Sequence, residues 1–456
     1  MDGRAGDRLH LLGTRLSLAL GGGDRHLSPK GRDTIKFTII SALAAALVAT
    51  PALADTTIIH ADGVIVDADS APRGKSTVTV TDGRIVSIED GFTGVPEGAT
   101  MVHLAGKILA PGMIDLHVHL TGDPGGDFWK GAVEPDEWGV VVGAKNARIT
   151  ALAGFTTVRE AGSGPETAFA LRRGTAEGFI AGPRIIAAGV PLAIIGGHGD
   201  VNGFRPEVNE VLDTGFTCTG AVECAEKVRL ASQNGSDVIK ITATGGVLSQ
   251  QGRGLEAHFT DAEMKSIADT AHSLGLKVMA HAHGARGIEA ASRAGIDTIE
   301  HGTYLDEAAA REMKKNGTVL VPTLMAFKGV TERLGKGVYT PVVEAKIEAV
   351  ADTARVFMGK ALRWGVPIAF GTDAGVFSHG RNAGEFALMV AQGMTPRQAF
   401  ASATTTAAKV LDMEGEIGRI APGYSADIIA VDANPLDDIS TLEKVEWVMV
   451  RGRVIE

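Results

Sequence analysis

The stretch MIDLHVH, residues 113–119, decides how the rest of the chain is read. Met113, Ile114, Leu116 and Val118 make a short apolar run, and Asp115, His117 and His119 fall on alternate positions within it. On a strand, residues two apart leave from the same face, so His117 and His119 aim two imidazoles at one point. Asp115 shares that face and reads either as a partner that orients a ligand or as the end of a buried hydrogen-bond network.

Seven more stretches of this kind follow: FTTVREAG (155–162), RIIAAG (184–189), VIKITAT (238–244), KVMAHAH (277–283), TIEHGT (298–303), TVLVPTL (318–324) and PIAFGTDA (367–374). Helical patterns lie between them. Thr260 with Glu263 is a capping box opening a helix over 261–275, and Thr395-Pro396 with Gln398 opens one over 396–411. Gly275 and Gly295 stand where helices should stop. Eight β-then-α units predict an α/β fold, a (β/α)8 TIM-like barrel over residues 108–412, rather than an open doubly wound sheet. No Gly-x-Gly-x-x-Gly follows any of these strands, which counts against a dinucleotide enzyme.

The flanks are different in style. Residues 55–107 alternate apolar and polar residues around Asp82-Gly83, a hairpin turn signal, and residues 413–456 resume that pattern with Gly452 at a turn. The two ends therefore predict one small β-sandwich domain. Residues 1–54 read as an N-terminal extension and signal peptide: Lys36 precedes FTIISALAAALVATPALA, which ends in Ala52-Leu53-Ala54. Cleavage after Ala54 predicts a periplasmic or secreted protein with no stable membrane association. The polar Gly/Arg-rich stretch ahead of the apolar run is long for a signal's leading region, and a start codon assigned too early explains it most simply.

Of the 456 residues 45% are hydrophobic and 21% charged, as in an ordinary globular chain. The net charge of −10, with no long single-sign run, argues against nucleic acid as a partner. Cys218 and Cys224, the two cysteines, are spaced to permit a local disulfide without demanding one. A homo-oligomer is compatible with the sequence, which shows no symmetric interface.

The chemistry-bearing residues collect at the C-terminal ends of the strands, the face on which barrel active sites are built. His281 and His283 repeat the spacing of the first pair; His281, nearer its strand, is the expected metal ligand, with His283 facing substrate. His301 and Asp373 end two later strands. Each histidine taken alone is more often a satisfied structural residue, and a lone Asp373 would read as a turn or helix cap. Converging on one mouth, they read as a metal set. Lys240 is the awkward member, because Val238, Ile239 and Ile241 surround it and a buried ammonium is costly. It is either paired with an acid, bound to substrate, or unprotonated and converted by CO2 into a carbamate that bridges two cations. His198, in GGHGD, and Tyr304, just past His301, are further candidates to touch substrate.

Together PGMIDLHVHL, VIKITATGG, AHAHG, IEHGT and FGTDAG resemble the metal-dependent amidohydrolase superfamily, in the imidazolonepropionase-related branch that includes Xaa-Pro dipeptidases, Lys/Arg carboxypeptidases and ochratoxin-hydrolysing amidases. The resemblance implies two divalent ions, most simply Zn2+. His117, His119 and Asp373 would hold the more buried ion and His281 and His301 the more exposed one, with N6-carboxylysine at Lys240 shared between them. Asp373 would also carry the proton of the attacking water to the leaving nitrogen. His198 and His283 would contact the substrate carbonyl or carboxylate. The implied substrates are dipeptides or N-acyl amino acids, including ochratoxin-type amides. A cyclic-amide hydrolase is the second enzymatic reading, opposed by the signal segment, and a non-catalytic metal-binding barrel is the third.

Overall fold

The structure, a computed structural model, describes residues 55–456 apart from 126–127, 165, 202 and 251–253, so the expected signal segment lies outside the described residues. Both ends of the described chain meet in one seven-stranded sheet. Its strands are β1 (Thr56–Val64), β2 (Ser76–Thr81), β3 (Arg84–Asp90), β4 (Thr100–Pro111), β12 (Ile428–Val431), β13 (Trp447–Val450) and β14 (Arg453–Val454), in the order β14-β13-β12-β4-β1-β2-β3. Neighbours are antiparallel except β1 and β4, which run parallel. The two expected turns close hairpins: Asp82 and Gly83 have φ of 50° and 76°, Arg451 and Gly452 of 50° and 78°. Two successive positive φ angles are what the hairpin turn matching strand twist requires. One face of the sheet packs Ile59, Val78, Val80, Leu109, Ile428 and Met449 into a core of its own.

Between these ends the chain alternates parallel strands with helices. β5 (Met113–Val118), β6 (Phe155–Glu160) and β7 (Arg184–Ala187) form one sheet; β8 (Val238–Thr242), β9 (Lys277–Ala282), β10 (Thr298–His301) and β11 (Val319–Val321) form another. All pairs are parallel. Leu192 joins the two sheets on one side, its N–H donating to Lys240 O (2.8 Å) and its carbonyl accepting from Thr242 N (3.1 Å). On the other side residues 367–374 bridge β11 to β5: Leu320 N donates to Pro367 O and Ala369 N to Leu320 O, both 2.9 Å, and then Asp373 N donates to His117 O at 2.7 Å.

This last stretch, expected as the eighth strand, has no continuous ladder. Its N–H groups change partner from residue to residue, and that of Phe370 goes to Ser402 O at 3.1 Å. The same exchange corrects the expectation of one helix over 396–411, which is two, Pro396–Ser402 and Thr405–Val410. Strand β5 takes the freed carbonyl between them, Ile114 N donating to Ala403 O at 2.7 Å. Both expected capping boxes form, at Thr260/Glu263 and Thr395/Gln398, and Gly295 closes its helix at φ 95°. No described helix is long and apolar enough to cross a membrane. Cys218 and Cys224 form a disulfide.

Candidate metal centre and substrate cavity

Strand ends β5, β8, β9 and β10, together with the 367–374 segment, bring His117, His119, Lys240, His281, His283, His301 and Asp373 to one cavity of about 380 Å³, which His198 also lines. The expected set is therefore one site in space. Within it the ligand-bearing atoms fall into two groups, His117/His119/Asp373 and His281/His283/His301, each with its atoms within 4.8 Å of one another. His301 joins them, its ring centroid 5.3 Å from that of His117 and 4.5 Å from that of His281. His198 lies against the second group, 4.1 Å from His281 between centroids.

One nitrogen of each ring is tied down, which selects the other for the cavity. His119 Nδ1 donates to Gly162 O (2.8 Å) and His117 Nδ1 to Glu300 Oε2 (2.7 Å). The Nδ1 atoms of His283 and His301 are hydrogen-bonded to Thr303 Oγ1 and Thr323 Oγ1, each at 2.7 Å. That leaves Nε2 as the open donor of these four rings. In His281 it is Nε2 that donates, to Gly245 O at 3.2 Å, so Nδ1 is the open atom. Burial depresses the basicity of all of them, His119 to about 4, His283 to about 3, and His117, His281, His301 and His198 well below the ordinary range. They are neutral imidazoles, the form that binds metals.

Asp373 supplies the test of fit. Burial pushes its carboxyl up to about 7 against the pull of the Lys240 charge. Its Oδ1 is buried without a hydrogen-bond partner and sits 3.6 Å from His117 Nε2 and 3.4 Å from His119 Nε2. A carboxylate oxygen facing two neutral imidazole lone pairs is an unfavourable arrangement by itself. A divalent cation among the three satisfies all of them, so the donor set fits a metal.

Lys240 is 4% exposed and, among the described residues, makes no ion pair. Desolvation lowers its pKa, opposed by the more distant charges of Glu300 and Asp373. It lines the same cavity as both groups, and its charge disfavours protonation of His117 and His119 in one and of His281 and His301 in the other. The reading of Lys240 as one half of a simple salt bridge thus finds no partner.

Behind the site lie Glu300, which the sequence did not single out, and Asp115, which it did. Glu300 accepts from His117, from Arg159 Nη2 (2.9 Å) and from Thr298 Oγ1 (2.5 Å). Asp115 ends a buried network, accepting from His117 N, Thr372 N and Oγ1, and Asn382 Nδ2 at 2.6–3.1 Å. Among the described residues six non-glycine positions have positive φ, and three are here: His301 (72°), Thr323 (48°) and Asp373 (62°). Such conformations cost free energy and collect at functional sites. Tyr304 is not brought to the cavity; its hydroxyl donates to Ala349 O at 3.3 Å, and Tyr339 lines the wall instead. The wall also has apolar residues, Val247, Leu248, Phe327, Val330 and Val376, with Phe327 edge-on to His283 at 6.1 Å between centroids.

The sequence profile of the amidohydrolase family matches residues 108–455. The chain is 32% identical to an ochratoxinase of Aspergillus niger over 415 residues, 86% of this chain and 84% of that protein. In structure it is similar to a Xaa-Pro dipeptidase with methionine bound in its active site, at a TM-score of 0.82 and 37% identity, covering 88% of this chain and all of the other. A prolidase complexed with N-methylphosphonate-L-proline superposes at a TM-score of 0.80 with 30% identity, covering 88% of this chain and 99% of the other.

Proposed function

This chain belongs to the amidohydrolase family, and from that premise we propose a binuclear, metal-dependent amidase that cleaves dipeptides or N-acyl amino acids at the amide before a free C-terminal amino acid. The observation that carries the reading is the pair of three-residue donor groups in one cavity that Lys240, without an ion pair among the described residues, also lines. His117, His119 and Asp373 would hold one ion, His281 and His301 the other, and carboxylated Lys240 would span both. Two divalent ions, with zinc suited to these donors, would supply Lewis acidity and water of lowered pKa.

The chain's own residues do the rest. Asp373 takes one proton from the attacking water and returns it to the amide nitrogen as the C–N bond breaks, leaving a carboxylic acid and a free amine. The Nε2 atoms of His198 and His283 are free for substrate, because Ser249 Oγ and Thr303 Oγ1 hold the opposite nitrogens at 2.7 Å. The apolar wall favours bulky neutral side chains. Among the described residues, Asp123 is the one carboxylate besides Asp373 that lines the cavity, and Lys145 pairs with it at 2.5 Å. A lysine or arginine substrate side chain would find no counter-charge.

The hydrogen bonds that join the two parallel sheets on both sides support a closed (β/α)8 barrel over 108–412, with 55–107 and 413–456 as a small appended domain. The Cys218–Cys224 disulfide supports export to the periplasm or beyond after cleavage at Ala54. The test of function is a panel of N-acyl amino acids and dipeptides offered to zinc-loaded protein. Release of free amino acid, strongest for large apolar C-terminal residues and abolished by Asp373→Asn, is the expected result. If only cyclic amides open, the assignment of dipeptides and N-acyl amino acids as substrates is wrong; if wild type and Asp373→Asn are equally inert on every substrate, the amidase reading is wrong.

A further inference from the structure

Thr323 is buried, β-branched and held at φ 48°, a conformation such residues rarely adopt. Its hydroxyl meets His301 Nδ1 at 2.7 Å, so this strained turn fixes which way one of the metal-ligand candidates faces. What holds the turn is not local. Glu385, fully buried on the helix Gly384–Ala391, reaches the start of the helix Leu324–Thr331 and accepts from both of its first amides, Leu324 N to Oε1 at 2.8 Å and Met325 N to Oε2 at 2.6 Å. Thr323 stands immediately before those amides and makes no side-chain cap for the helix, its hydroxyl being turned to His301. A carboxyl group at a helix start satisfies N–H groups that otherwise have no partner; burial pushes the Glu385 carboxyl well above the usual carboxylate range, so its role is that of a hydrogen-bond acceptor. The helix so anchored also carries Ala326, Phe327 and Val330 of the cavity wall.

We propose that Glu385 is a positioning residue: by clamping the two amides that follow Thr323 it stores the strain of that turn and aims His301 at the ion it shares with His281. The inference rests on the two-metal reading. Glu385 touches neither the metal-ligand candidates nor the cavity. It acts through Thr323, and the same clamp sets the place of the apolar wall.

The experiment is a zinc titration of the metal-stripped protein, read as zinc bound per chain, for wild type, Glu385→Gln, Glu385→Ala, Thr323→Ala and the double variant Glu385→Ala/Thr323→Ala. Amide hydrogen exchange at Leu324 and Met325 is followed on the same samples. Losing an outer partner of a metal ligand costs about 10- to 100-fold in affinity. Glu385→Ala should weaken one of the two zinc ions by about tenfold, leave the other unchanged, and speed exchange at both amides. Glu385→Gln, which keeps one acceptor, should fall between and remains informative if the alanine variant does not fold. Because Glu385 acts through Thr323, the double variant should bind zinc no more weakly than Thr323→Ala alone. Wild-type affinity for both ions in Glu385→Gln and Glu385→Ala, or losses that simply add in the double variant, would overturn the proposal. Wild type that takes up fewer than two ions would instead overturn the reading on which it rests.

Discussion

Glu300 and His117 lie 183 positions apart in the chain and share a 2.7 Å hydrogen bond, with neither side chain more than 1% exposed. The same carboxylate pairs with Arg159 at 2.9 Å. One group therefore fixes the tautomer of a metal-ligand candidate and neutralises a buried guanidinium. Glu300→Ala removes both functions and leaves Arg159 as an uncompensated buried charge, a loss of about 3–5 kcal/mol. Urea denaturation should show that loss for alanine and a smaller one for Glu300→Gln, which keeps an acceptor. Equal midpoints for the two variants would contradict this account of the pair.

Glu160 gives a pH signature. Burial pushes its carboxyl up to about 8, and its Oε1 has no hydrogen-bond partner. A carboxyl whose folded pKa is raised holds its proton longer than the unfolded chain does. Folding stability therefore falls as pH rises from the unfolded value near 4.5 through the folded one. Metal-free protein should lose about 1–2 kcal/mol of stability more between pH 6.5 and 8 than its Glu160→Gln variant does over the same range. Denaturant midpoints at the two pH values decide it. Parallel behaviour would mean that Glu160 is already ionised at pH 6.5.

The apolar part of the wall predicts a switch of specificity. Leu248 is half-buried in it. Leu248→Asp should improve kcat/KM for N-acyl-lysine and N-acyl-arginine relative to N-acyl-phenylalanine by about 10-fold or more. An unchanged ratio would show that the substrate side chain does not rest against Leu248.

These relationships show where sequence reasoning reached and where it stopped. His117 and His119 were legible because strand periodicity is local, and Lys240 because a cation inside VIKIT contradicts its neighbours. The capping boxes at Thr260 and Thr395 were legible for the same reason, since each motif closes within one helical turn. Glu300 was in view beside His301, but its bond to His117 depends on how β10 stands across from β5. Glu385 gave no local signal, because its partners Leu324 and Met325 are backbone amides some 60 positions away. The break at Ala403 was hidden similarly: the carbonyl that ends the helix is taken by Ile114, from the other end of the fold. Tyr304 and Tyr339 could not be told apart, since which of them faces the cavity follows from long loops that no periodicity describes.

Lys240 carries the central claim. It is buried at 4% exposure, makes no ion pair among the described residues, and lines the cavity that holds the two donor groups. As a carbamate it would be the anion that lets two cations share one cavity. The deciding measurement is zinc bound per chain in wild type and in Lys240→Ala, each loaded and desalted identically, with and without added short-chain carboxylate. The account predicts two ions in wild type, at most one in Lys240→Ala, and partial recovery when the carboxylate is present. Two ions in Lys240→Ala without any added carboxylate would contradict it.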